Sequence, residues 1–84
     1  MVPEPFEREI LAYVAPRLAD LLRRAVPLLP APPEEIRIRQ ERPLHLVYPG
    51  GDAFVTPDGR LTADPARAVR PDGDDVQRTF QLMA

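Results

Sequence analysis

The sequence predicts a small α+β domain: an N-terminal helix pair, a mostly antiparallel sheet of three or four short strands, and a C-terminal helix packed on one sheet face. Three observations predict it. Apolar residues recur at three- and four-residue spacing from Phe6 to Ala25, period two takes over between Glu35 and Thr62, and a helical pattern opened by acids begins at Asp74.

In the first segment Phe6, Ile10, Val14, Leu18, Leu21, Leu22 and Ala25 share one helical face. Pro16 interrupts that face, and proline is tolerated in a first turn but not in a helix interior. The segment therefore reads as two short helices, about Pro5 to Tyr13 and Pro16 to Arg24, meeting at a bend. Their polar faces carry Glu7, Arg8, Arg17, Asp20, Arg23 and Arg24, the arrangement of an amphipathic pair covering a sheet. Four prolines between Pro27 and Pro33 remove donors and fix φ, so that stretch is expected to be a stiff, non-helical connector.

The sheet follows. Ile36 and Ile38 alternate with Arg37 and Arg39; Leu44, Leu46 and Tyr48 alternate with His45 and Val47. The runs are cut by Arg42-Pro43, by Pro49-Gly50-Gly51 and by Thr56-Pro57-Asp58-Gly59. Strands are expected at about Glu35 to Gln40, Leu44 to Tyr48, Ala53 to Thr56 and near Arg60 to Thr62. Pro57 and Gly59 suit a type I turn that pairs the last two as a hairpin. The expected core is Ile36, Ile38, Leu44, Leu46 and Phe54, joined by Leu18, Leu21 and Leu22. Ala63 to Arg70 reads as loop, extended near its end. Asp74 with Gln77 three residues later suits a helix cap, with Val76, Phe80 and Met83 on one face.

The single domain thus divides into a helix pair (1–26), a proline-rich connector (27–34), a β-meander (35–62), a loop (63–73) and a helix (74–84) that has no stop signal. The 84 residues are expected to be the front of something longer. A domain this short has a thin stability margin. The absence of cysteine excludes disulfide and thiolate–zinc staples, and one histidine cannot build a histidine metal site. Packing against more protein is the remaining staple.

Thirteen acids face eleven arginines, with no lysine, so nothing global recommends nucleic acid or an acidic membrane. Net charge is −2 over residues 1–35, +2 over 36–70 and −2 over 71–84, which makes the sheet mildly basic and both flanks acidic. Lysine, serine, asparagine, cysteine and tryptophan are all absent and proline occurs twelve times, a composition that reflects codon bias and stiff loops rather than function. The longest uncharged stretch, Ala25 to Pro33, is far shorter than the ~20 apolar residues of a membrane helix. The acidic Met1-Val2-Pro3-Glu4-Pro5 start is unlike a signal peptide, and the expected location is cytoplasmic.

The order Glu35-Ile36-Arg37-Ile38-Arg39, then Arg42-Pro43-Leu44, then Phe54-Val55-Thr56 with Asp58-Gly59 and Leu61-Thr62, then Asp75-Val76-Gln77-Arg78-Thr79-Phe80 resembles the N-terminal region of the stage III sporulation protein AA family. The resemblance spans about Phe6 to Met83. One departure is the pair Gln40-Glu41, where the family often has an apolar residue and glycine. The family resembles the ring-forming ATPases of type II and type IV secretion. That kinship implies a non-catalytic assembly and regulatory domain ahead of a P-loop ATPase domain, on the mother-cell side of the forespore membrane. Its implied partners are its own ATPase domain, neighbouring subunits of a hexameric ring, and membrane-associated sporulation channel components. ATP and magnesium are implied only for the ATPase domain. These 84 residues, with four glycines and no lysine, cannot form a P-loop themselves, and no cofactor is expected for them.

Arg37, Arg39 and Arg42 form the one constellation that points to a site, because guanidinium forks bind phosphate and carboxylate bidentately. The resemblance implies contact with nucleotide or a neighbouring subunit; the competing expectation is a solvated face paired with Glu34, Glu35 or Glu41. His45, opposite the Leu44–Leu46–Tyr48 face, is expected to be structural or solvent-facing. Asp52, Asp58, Asp72, Asp74 and Asp75 lie at turns and helix starts, where carboxylates cap backbone amides. A stand-alone protein- or peptide-binding module is the alternative. Nucleic acid is disfavoured because the pattern sends most aromatics inward and leaves no stacking platform. An enzyme lacks any nucleophile, metal set or acid–base pair of distinctive spacing.

Overall fold

The computed structural model describes residues 11–83, with side chains as far as Thr79. Helix α1 spans Pro16–Ala25, preceded by a 3-10 turn at Leu11–Tyr13. Four strands follow, β1 (Glu35–Arg37), β2 (His45–Tyr48), β3 (Gly51–Val55) and β4 (Leu61–Thr62), and helix α2 (Gly73–Met83) ends the described chain. The sheet runs in the order β1-β2-β3-β4 with every neighbour antiparallel, so the molecule is the α+β domain expected.

Helix α1 forms where Pro16 supplies a preset φ at the first turn, and Arg23 and Arg24 complement the negative end of the helix dipole. Its spacing puts Leu18, Ala19, Leu21, Leu22 and Ala25 on one buried face, packed with Leu11, Val14 and Val26. That face lies on Leu44, Leu46 and Val55 of the sheet, all three fully buried. Each such leucine contributes about 1.5 to 3 kcal/mol by leaving water. The residues before Leu11, including Phe6 and Ile10 of the expected first helix, lie outside the described residues.

Four boundaries differ from expectation in ways that bear on the fold. Val26–Leu28 forms one 3-10 turn that includes Pro27, because a proline at the start of a short helix gives up a donor that would be unpaired anyway. Strand β1 stops at Arg37, and β3 begins at Gly51 because the β2–β3 loop is only Pro49–Gly50, with Gly50 at φ 89° as the third residue of a type II turn needs. Helix α2 starts one residue early, capped by a reciprocal box: Asp75 N–H donates to Asp72 Oδ1 at 2.8 Å and Asp72 N–H to Asp75 Oδ2 at 2.9 Å.

The tight β2–β3 loop also corrects the core. It pairs Tyr48 with Gly51, hence Leu46 with Ala53 and His45 with Phe54. Since side chains alternate, Ala53 and Val55 face the helix and Phe54 faces away, half-buried; Val55 takes the core position expected of Phe54. The β3–β4 turn closes with Gly59 N–H on Thr56 O at 3.0 Å, and Gly59 (φ 79°) sits where an added Cβ would lie 2.8 Å from Arg24 Cβ. Helix α2 docks beside the start of α1. Ala15 N–H, which no side chain of its own caps, donates to the buried Thr79 Oγ1 at 3.1 Å, and Arg17 ion-pairs with Asp75.

Candidate functional site

Among the described residues, the sheet has one face under α1 and one face open. Across the open face the register aligns Arg37, His45, Phe54 and Thr62 in a row, with Glu35, Val47 and Asp52 in the next. His45 and Phe54 stack with ring centroids 4.5 Å apart and planes 20° from parallel. His45 Nε2 lies 2.7 Å from Asp52 Oδ2, which fixes the imidazole between a carboxylate and a ring.

After β1 the chain turns back over this row. Arg42 N–H donates to Arg39 O at 3.2 Å, so the two arginines leave the two ends of one tight turn. Glu41 within it has φ 59°, a left-handed conformation that costs a residue with a Cβ about 1 to 2 kcal/mol. The neighbouring segment holds it there. Glu41 N–H donates to Pro71 O at 2.8 Å, and Arg70 Nη1 donates to Glu41 O at 3.0 Å. Gln40-Glu41 thus supplies, with hydrogen bonds, the bend for which a glycine would have been free.

The result is an open concavity of about 450 Å³. Arg37, Arg39, Gln40 and Arg42 line it together with Pro43, His45 and Phe54. The structure therefore brings all three sequence-selected arginines to one place. Arg37 is shared with Glu35: its Nε donates to Glu35 Oε1 at 2.8 Å, and this bond holds the Glu35 carboxyl below its ordinary range while raising the guanidinium. Among the described residues, the side chains of Arg39 and Arg42 form no ion pair or hydrogen bond. So the expected pairing with Glu35 holds for one arginine of the three.

His45, Phe54 and Pro43 were not selected as site residues from the sequence. The signal was present in the Tyr48-Pro49-Gly50-Gly51 turn: treating it as a two-residue loop sets Phe54 opposite His45. The premise that aromatics point inward is corrected accordingly, since Phe54 is on the open face and Tyr13 is 45% exposed.

The aspartates at turns and helix starts have local partners. Asp58 accepts from Thr56 Oγ1, which holds its carboxyl below the usual range; Asp64 caps Ala66 N–H at 2.9 Å; Asp74 pairs with Arg78 at 2.9 Å. Asp75, 5% exposed, accepts from Arg17 and from Asp72 N–H, and the Arg17 guanidinium is the main cause of its lowered pKa. No group of three or more histidine or carboxylate side chains suited to a metal ion occurs among the described residues, and no helix there is long and apolar enough to cross a membrane.

Comparison of the chain with models of known protein families, with curated proteins and with solved structures gave no match.

Proposed function

We propose that this chain is a non-catalytic assembly and regulatory domain of a sporulation-associated, secretion-type ATPase, which packs against its own ATPase domain and against neighbouring subunits through the open sheet face. The observation that carries this reading is the division of labour between the two sheet faces. One is closed by α1 and holds the core. The other presents Arg39 and Arg42, whose side chains form no ion pair or hydrogen bond among the described residues, around a floor of Pro43, His45 and Phe54. The motif order from Glu35 to Phe80 supports the kinship with the stage III sporulation protein AA family, and with it a cytoplasmic position beside the forespore membrane, a hexameric ring, and ATP with magnesium held by the adjoining domain.

In this reading the arginines act on charge presented by a neighbour. A braced turn already holds the backbone from which the guanidinium stems leave, so contact with a carboxylate or phosphate costs the rotamer freedom of the side chains but no ordering of the turn. The domain then couples the state of the next unit to ring packing, while catalysis stays in the P-loop domain.

The open face also suits the alternative, a stand-alone peptide-binding module, because Pro43 and the Phe54–His45 stack floor it and arginines rim it. The reading frame separates the two. A glycine-rich loop ending in Lys-Ser or Lys-Thr within the next ~150 codons, about one domain length, supports the ATPase assignment, and a stop codon overturns it. In the longer chain Arg39→Gln is expected to lower ATP turnover or ring assembly severalfold. The 84 residues alone are expected to give a flat titration with Mg-ATP.

A further inference from the structure

Two concavities on the described surface are lined by charge, and their chemistry differs. The one at the helix N-termini contains Arg17, Asp72, Asp75, Asp74 and Arg78, and its charges are already matched: Arg17 with Asp75, Arg78 with Asp74, and Asp72 with the amide of residue 75. It asks for nothing further. The concavity on the open sheet face is lined by three arginines and no acid, and among the described residues the side chains of Arg39 and Arg42 form no ion pair or hydrogen bond, Arg39 feeling Glu35 only at longer range.

We infer that this open-face concavity receives an acidic segment of a partner protein, with carboxylates on Arg39 and Arg42 and one apolar side chain on the floor formed by Pro43, His45 and Phe54. The inference rests on the reading of this face as a docking surface, and it is independent of the ATPase kinship.

Charge complementarity names the sign of the occupant. The face itself shows the chemistry, because carboxylates are what its side chains already hold: Glu35 pairs with Arg37 at 2.8 Å and Asp52 hydrogen-bonds His45 at 2.7 Å. Arg39 and Arg42 are left at the two ends of one turn. Two carboxylates near one another in a peptide can each take one fork, a bidentate geometry that Lys could not offer.

The floor is a stacked pair rather than a run of separate platforms: His45 and Phe54 each cover one face of the other at 4.5 Å, so fewer ring faces are left for bases. Pro43 beside them adds aliphatic surface. Such a floor suits an aliphatic or aromatic side chain, while an inorganic anion would use the rim alone and leave the floor wet.

Preorganisation is the second support. Holding Glu41 at φ 59° is unfavourable by itself, and two hydrogen bonds maintain it, one donated by Arg70 and one accepted by Pro71 O. Strain that the surroundings over-determine is found where a geometry has to be kept. Here it keeps the backbone turn from which the Arg39 and Arg42 side chains leave.

The test is an amide NMR titration of the 84-residue chain with a blocked hexapeptide containing three glutamates around a central phenylalanine. Its glutamine counterpart, inorganic phosphate and oligothymidylate serve as the other arms. The glutamate peptide is expected to shift the amides of residues 37–45 and 54, with binding that weakens as salt rises. Arg39→Gln and Arg42→Gln should each weaken it about five- to tenfold and Phe54→Ala at least threefold, while Arg67→Gln, at an exposed position away from the concavity, leaves it unchanged. Equal binding of the glutamine peptide, no binding of the glutamate peptide at millimolar concentration, or tighter binding of phosphate or oligothymidylate at the same amides would overturn the inference. A stop codon after Ala84 would remove the ATPase reading and leave this result standing.

Discussion

Replacing Asp75 should cost more than replacing any other carboxylate among the described residues, because its side chain serves two elements at once. It closes the cap of α2 by accepting from Asp72 N–H, and it ties α2 to α1 by accepting from Arg17. The cap bond is worth about 1 kcal/mol. The Arg17 pair is charge-assisted, but the Arg17 side chain is 51% exposed and regains water when released, so about 1 kcal/mol is appropriate there too. Asp75→Ala should therefore lose about 2 kcal/mol at pH 7, and Asp75→Asn, which keeps an acceptor for the cap, about 1 kcal/mol. The folded state lowers this carboxyl's pKa. Its contribution is then fully present above the ordinary aspartate value near ~3.9 and is lost as pH falls through the lower folded value. Urea denaturation of wild type and both variants at pH 7 and at about pH 2.5 measures this. Comparison with wild type isolates Asp75 from Glu35 and Asp58, which are lowered in the same direction. A loss under about 0.5 kcal/mol at pH 7, or a difference that does not shrink in acid, would refute the reasoning.

The same denaturation assay checks the sheet. Leu46→Ala, at a fully buried site, should cost about 2 to 5 kcal/mol, whereas Phe54→Ala on the open face should cost under about 1.5 kcal/mol; equal losses would mean that the faces are misassigned. Gly59→Ala combines φ 79° with a Cβ placed 2.8 Å from Arg24 Cβ and should cost more than Gly50→Ala, where φ is 89° but nothing lies within 4 Å. The second substitution carries only the left-handed penalty of about 1 to 2 kcal/mol, and the reverse order would refute the packing of the β3–β4 turn on α1.

What could be read from the sequence was whatever depends on local periodicity. The Leu18–Leu22 face, the alternation of Ile36, Leu44 and Leu46, and the Thr56–Gly59 hairpin turn each need only a few neighbouring residues. Phe54 was misplaced because a strand's inward face depends on register, and register here depends on whether the Pro49-Gly50-Gly51 run spends two residues or more in its loop. The Asp72–Asp75 box was displaced to Asp74 because several carboxylates in a row offer equivalent caps. Arg17 on α1 settles the choice by drawing Asp75 inward. For the site, the three arginines were legible as types and spacing. Their floor was not, since His45, Phe54 and Pro43 meet only after β2 and β3 pair.

The segment from Val69 to Asp75 links the part of the molecule that is stable to the part that is available. Val69 N–H donates to Val55 O at 2.8 Å and Leu44 N–H to Val69 O at 2.9 Å, which ties the segment to two core residues. One and two residues on, Arg70 and Pro71 hold Glu41 in its left-handed turn, and Asp72 then caps α2 against Arg17 through Asp75. The Arg39–Arg42 turn is therefore braced from the segment that leads into α2, by the Glu41–Pro71 backbone hydrogen bond and the Arg70 side chain, in addition to its own Arg42–Arg39 bond. Loosening the cap should be felt at the turn, and the Asp75→Ala variant offers the means to see it: the amides of Glu41 and Arg42 should shift and exchange faster, while those of β3 and β4 keep their protection. If the amides of Glu41 and Arg42 were unaffected in a folded Asp75→Ala chain, the turn would be held by β1 and β2 alone.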